Sequence, residues 1–189
     1  MLPRAISNHP LPRARLPRRA PLGMIQTARL TLRPAEPGDL PALHAIFSDP
    51  DVMRHWSTPP DETIDATADR LEGFMRGERE LGPEWMILHQ GTLIGRVGLW
   101  RKWEVGYILS RAAWGQGFAS EALQTVTAEV FARHPACDAI TADIDPRNIG
   151  SGRVLEKAGF IATHHAKNTF CINGEWSDST YYRLDRPAP

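Results

Sequence analysis

The chain has 189 residues, 42% of them apolar and 23% charged, a balance that suits an ordinary globular domain and argues against an intrinsically disordered chain. No apolar run approaches the roughly 20 residues that cross a bilayer, and 22 basic against 22 acidic side chains leave no overall basic field aimed at nucleic acid. Cys137 and Cys171 are too few for a disulfide framework and fit free thiols in a reducing, cytoplasmic setting.

The charge balance hides an asymmetry. Residues 1–23 hold five arginines, five prolines and no acid. Without them 17 basic residues face 22 acidic ones, so residues 24–189 form a mildly acidic single domain. The prolines recur too often for a helix, and the segment lacks the apolar core of a secretory signal. We expect it to be disordered. Two readings stay open: an idle leader before a true start at Met24, or an arm for an anionic partner such as ribosomal RNA.

From Met24 the elements follow in order. Leu30 and Leu32 alternate with Arg29, Thr31 and Arg33, a half-buried strand that Pro34 ends. Gly38-Asp39 offers a cap for a helix over 39–48, and Asp49-Pro50-Asp51 breaks it. A second helix is expected over 61–79, with Ile64, Ala68, Leu71 and Met75 on its apolar face. Strands are expected at 84–89, 92–100 and 104–109, with Gly95 and Gly98 marking a bulge or a close backbone approach. Trp85 and Trp100 should be core residues, and Tyr107 should pack. A helix from 118 to about 132 places Phe118, Ala122, Val126 and Val130 on one face. A strand at 139–144 and a short helix over 148–158, closed by Gly159, come next. Extended segments at 160–163 and 168–172, a turn at Asn173-Gly174 and a strand at 180–184 finish the chain. Strand, helix and strand alternate over 104–144, which implies one parallel crossover inside a mixed α/β sheet.

Chemistry is concentrated in two segments. Gly115-Gln116-Gly117-Phe118-Ala119 joins a strand to a helix. Two glycines let the backbone bend and approach a ligand, and amides at a helix start suit a phosphate. Alone, this G-x-G is equally well a plain turn. It is neither a Walker A loop nor a full G-x-G-x-x-G.

The second segment, Asn148-Ile149-Gly150-Ser151-Gly152-Arg153-Val154-Leu155-Glu156-Lys157-Ala158-Gly159-Phe160, follows one strand later. With it, the chain resembles the GNAT superfamily of acyl-CoA-dependent N-acetyltransferases. Trp114-Gly115-Gln116-Gly117-Phe118-Ala119 is similar to the family's Gln/Arg-x-x-Gly-x-Gly/Ala motif except at its first position. WGQGFASEAL and the N-x-x-S-x-x-V-L-E-K-x-G-F pattern look like the RimJ/RimL-type branch, which includes acetylases of ribosomal-protein N termini, spermidine and some antibiotics.

The resemblance implies a six- to seven-stranded, centrally splayed mixed sheet flanked by about four helices. It implies acetyl-CoA as co-substrate, held by Ile108 and Leu109 along the splayed strand and by Gly115, Gln116, Gly117, Phe118 and Ala119 at its diphosphate. Asn148 is expected at the cofactor as well. The implied partners are acetyl-CoA and an amine acceptor, with no membrane, no specific nucleic acid and no metal, in a monomer or homodimer. Glu104 is the candidate base, with Asp143 and Asp145 behind it; a solvated strand end is its alternative. The tyrosine that many members place seven positions after the asparagine is Leu155 here, so Ser151 is the candidate partner of the leaving thiolate. Helix capping is the alternative for Ser151 and Asn148. Trp56, beside Arg54 and His55, either stacks on the acceptor or lies over the core. His164-His165 points to opposite sides of a strand and lacks further ligands. Two other readings are a catalytically silent acyl-CoA-binding module and a nucleotide-phosphate binder of another class.

Overall fold

A computed structural model describes residues 23–76, 83–172 and 174–188. The Arg/Pro-rich stretch 1–22, positions 77–79 of the expected second helix and Asn173 of the expected turn lie outside the described residues.

Among the described residues eight strands form one sheet: β1 (Ile25–Gln26), β2 (Leu30–Arg33), β3 (Glu84–His89), β4 (Thr92–Arg101), β5 (Glu104–Leu109), β6 (Ala139–Ile144), β7 (Ile161–Ile172) and β8 (Glu175–Asp185). Their order is β1-β2-β3-β4-β5-β6-β8-β7. All neighbours are antiparallel except β5 and β6, the expected parallel pair. The sheet has one more strand than the upper expectation, because the two-residue β1 is too short to show a period. Five α-helices accompany it among the described residues: α1 (Leu40–Phe47), α2 (Pro50–Met53), α3 (Ile64–Arg76), α4 (Phe118–Arg133) and α5 (Ile149–Lys157).

Strand alternation sorts the core onto two faces. Val105 and Leu109 join Ala122, Leu123, Val126, Val130 and Leu155 in the larger cluster, under α4 and α5. Met86 and Ile108 join Leu43, Ile46, Phe47 and Leu71 in the smaller one, under α1 and α3. α4 buries its i+4 stripe as its spacing requires.

Four local expectations are corrected. Asp49-Pro50-Asp51 starts α2 instead of only breaking α1: Asp49 accepts the amides of Asp51 and Val52, and Pro50 fills the first helical position. Asp39 does not cap α1 with its side chain; buried, it takes two hydrogen bonds from Arg33, at 2.6 and 2.9 Å. α3 starts at Ile64, after Thr63 accepts the Ala66 amide, while Asp61 is held by Arg70 and Thr67. Its inner stripe is Thr67, Leu71 and Phe74, and Ile64 and Met75 are exposed. Trp85 is a core residue, but Trp100 is 36% exposed with the Arg101 guanidinium 4.0 Å above its ring.

Gly95 and Gly98 do mark close approaches. A Cβ on Gly95 would lie 2.2 Å from the Ile108 carbonyl oxygen, and one on Gly98 2.6 Å from that of Pro83. No helix among the described residues is long and apolar enough to cross a membrane.

Candidate active site

β5 and β6 share a single bridge, Glu104 opposite Thr141, and then part. The register on the other side of β5 decides which backbone groups face the gap. The Ser110 amide bonds the Ile94 carbonyl at 2.8 Å, so every second residue of β5, Ile108 included, directs its backbone at β4. The Ile108 carbonyl accordingly abuts Gly95. Tyr107 and Leu109 are the residues whose backbone polar groups face the gap. Leu109 keeps only its amide there, since its carbonyl accepts the Trp114 indole N–H at 3.0 Å. Trp114, which departs from the motif's first position, thus has a structural use.

The glycine loop sits where β5 ends and α4 begins. Gly115 and Gly117 have φ of +73° and +80°, left-handed values that L side chains rarely adopt. Gly117 is the N-cap of α4 and has no side-chain cap, so the first amides of the helix stay open to an anion. Gln116 faces away from them: its side-chain amide donates to the Ala112 carbonyl at 2.8 Å, and its own carbonyl accepts Arg29 at 2.8 Å. Arg29 is in turn bonded to Glu121, whose carboxyl burial would raise but the Thr27 and Arg29 hydrogen bonds hold below its ordinary range. Phe118 and Ala119 open α4, with the Arg29 guanidinium 4.7 Å from the Phe118 ring.

At the gap's other wall, Asn148 caps α5 by accepting the Ser151 amide at 3.0 Å. Ser151 lies in the first turn, and its Oγ is 2.6 Å from the Tyr107 hydroxyl. Leu155 is fully buried in the larger cluster.

Glu104 heads β5 on the opposite face of the sheet. Its Oε1 is buried without a hydrogen-bond partner among the described residues. Burial, then the negative charge of Asp143, push its carboxyl above the ordinary range. Asp143 accepts from Ser179 at 3.3 Å. Asp145 is buried and answers three Arg147 groups; burial opposes its ionisation, but those hydrogen bonds outweigh it and hold the carboxyl low. It latches the turn into α5.

Next to Asp145 opens a cleft of about 430 Å³, lined by Arg54, His55, Arg147, Ile172, Glu175 and Ser177. The His55 ring nitrogen Nδ1 lies 3.6 Å from Asp145. Trp56 packs edge-on against Phe47, with Arg96 beside it, as a lid on the smaller cluster. His164 stacks on Tyr181 and His165 bonds Thr180, and no metal-sized group of His, Cys, Asp or Glu occurs among the described residues. Cys137 is buried and Cys171 exposed.

A profile of the acetyltransferase (GNAT) domain family matches residues 29–161. The chain belongs to the GNAT acetyltransferases. It is 29% identical over 173 residues to the uncharacterized N-acetyltransferase YoaA of Bacillus subtilis, covering 87% of this chain and 97% of that one. Its structure superposes on a GNAT-family acetyltransferase from Bacillus anthracis with a TM-score of 0.75, at 26% identity, over 86% of this chain and 98% of the other. RimL, an α-N-acetyltransferase of ribosomal protein L7/L12 solved with coenzyme A, shares the fold at 21% identity and a TM-score of 0.75, over 86% and 98%. The open mixed sheet with its parallel β5–β6 pair is therefore the GNAT sheet.

Proposed function

We propose that this acetyltransferase moves an acetyl group from acetyl-CoA to a primary amine by direct attack in a ternary complex. The observation that carries it is the β5–β6 gap, open beyond one bridge and ending at a left-handed glycine loop. Extended backbone facing an opening pairs with an amide-bearing ligand as it would with a strand. Pantetheine supplies such amides, and Tyr107 and Leu109 supply the protein's groups. The backbone amides of 115–119 would take the diphosphate, with the Gln116 side chain turned away. Asn148 acts on the cofactor through the helix start it caps.

Three demands define the chemistry. The ammonium loses a proton, its nitrogen attacks the thioester carbon, and the C–S bond breaks to a thiolate that is then protonated. An α-amine with a pKa near 8 costs about 1 kcal/mol to deprotonate at pH 7, against roughly 4–5 for a lysine. Glu104 is suited to the first demand, since its buried Oε1 has no hydrogen-bond partner among the described residues and its raised pKa makes it a stronger base. Ser151 offers the thiolate a hydrogen bond, with water completing the transfer. The acceptor would enter by the cleft at His55 and Arg147, with Trp56, the next residue along the chain, packed on the smaller cluster beside it. RimL's N-terminal substrate supports an α-amine, and small amines are the alternative acceptors.

Release of CoA thiol is the test, with acetyl-CoA and a panel containing a peptide with a free N-terminus, spermidine and an aminoglycoside. Release with any amine supports the reading. Bound acetyl-CoA with no release from any of them refutes turnover and leaves a silent binding module.

A further inference from the structure

We propose that Tyr107 is a positioning residue that aims the Ser151 proton at the sulfur of the leaving group. The inference rests on the role given to Ser151 above.

The Tyr107 hydroxyl is 2.6 Å from Ser151 Oγ and 3.1 Å from the Ser151 carbonyl oxygen. A phenol has one proton, and either oxygen of the 2.6 Å contact can donate; the phenol is the stronger acid, which assigns it as the donor to Oγ and leaves the 3.1 Å carbonyl contact without a proton. With Tyr107 donating to Oγ, that oxygen is the acceptor and its own proton must point elsewhere. This matters because a serine in a helix otherwise tends to turn its hydroxyl onto a nearby backbone carbonyl. The Ser151 amide is already held by Asn148. The cap thus fixes the backbone that carries the serine, and the phenol constrains its hydroxyl.

Tyr107 is also placed to couple the serine to the cofactor. Its backbone faces the β5–β6 gap while its ring crosses to α5, so one residue registers the thioester arm and the hydroxyl together. It is not the acid. A phenol near 10 already lies above a thiol near 8.5, and burial pushes this one higher still. What it offers is a permanent donor that never ionises at working pH.

The test uses CoA alone and needs no acceptor. Calorimetric titration of CoA across pH 7 to 9.5 reads the thiol pKa of the bound cofactor, which a hydrogen bond to the thiolate lowers. In the wild type we expect it below the ordinary value near 8.5. Ser151→Ala should raise it, weakening CoA about tenfold on the alkaline side, and Tyr107→Phe should weaken it at least threefold there. Toward pH 7, where the thiol is largely neutral, both losses should shrink. The double variant should match Ser151→Ala, because the phenol acts through the serine. Thermal melts verify folding; Tyr107→Phe removes one oxygen and keeps the ring. A shift in Ser151→Ala with none in Tyr107→Phe overturns the positioning role. Full additivity in the double variant overturns it as well. No shift in either removes Ser151 from the thiolate, and the underlying reading fails with it.

Discussion

Arg29 is 87 residues from the loop carbonyl it holds, and its removal tests how the diphosphate site is built. Its Nη1 donates to the Gln116 carbonyl at 2.8 Å, its Nε and Nη2 bond Glu121 at 2.7 Å, and its guanidinium covers Phe118. Because the side chain is 45% exposed, the ion pair is worth only about 0.2–1 kcal/mol after screening. The carbonyl bond adds about 0.5–1.5 kcal/mol, and the ring contact about 0.5 kcal/mol at an exposed site. Arg29→Ala should therefore weaken the loop's bound conformation by about 1–3 kcal/mol, which raises the Kd for CoA about 5- to 150-fold if all of it is recovered on binding. Arg29→Lys separates bracing from charge. A lysine keeps the charge but cannot fork between Glu121 and Gln116, so it should behave as the alanine variant does. Isothermal titration with CoA measures both. An Arg29→Ala Kd within twofold of the wild type refutes the bracing, and full rescue by lysine would show that charge alone matters.

Other changes report on the base and on the sheet. As the proposed base, Glu104 must lose its proton to act, so the rate should rise with pH along a limb above the ordinary carboxylate range. Asp143→Asn removes the neighbouring negative charge and should move that limb to lower pH, whereas Glu104→Gln should abolish it and cost about 100-fold or more in kcat/KM. A limb that persists in Glu104→Gln rules this carboxylate out. At Gly95 a methyl would meet backbone 2.2 Å away, so Gly95→Ala should cost about 3 kcal/mol and about 10 °C in melting temperature. Gly91→Ala, left-handed at φ +79° but in open space, should cost about 1–2 kcal/mol. Equal shifts in the two melts would contradict the close β4–β5 approach.

The frame of the molecule was legible where one period ran uninterrupted. Strands 104–109 and 139–144 were read to the residue, and α4 to within one. The end of the chain was not. β7 was split in two because register shifts at Ala162/His164 and Ala166/Phe170 break its alternation, and most of its residues are exposed on both faces. α2 was missed because a four-residue helix has no period to read, although its Asp49 cap was in plain view. The glycine loop was legible from its composition, but the parity of β5 was not: only the Ser110–Ile94 bond shows that Tyr107 and Leu109, rather than Ile108, face the gap. Tyr107 and Ser151 are 44 residues apart, and the cleft joins α2's flank to the β7–β8 hairpin. Such pairings arise from tertiary register, and no local spacing announces them.

The central claim is that the β5–β6 gap and the loop at its end hold acetyl-CoA. Calorimetric titration of acetyl-CoA into the folded protein, repeated with Gly117→Val, tests it most directly. We expect saturable binding of one equivalent that the valine variant, strained at φ +80° and crowding the loop, weakens at least tenfold with its fold intact. Absence of binding by the wild type, or equal affinity in both proteins, would contradict it.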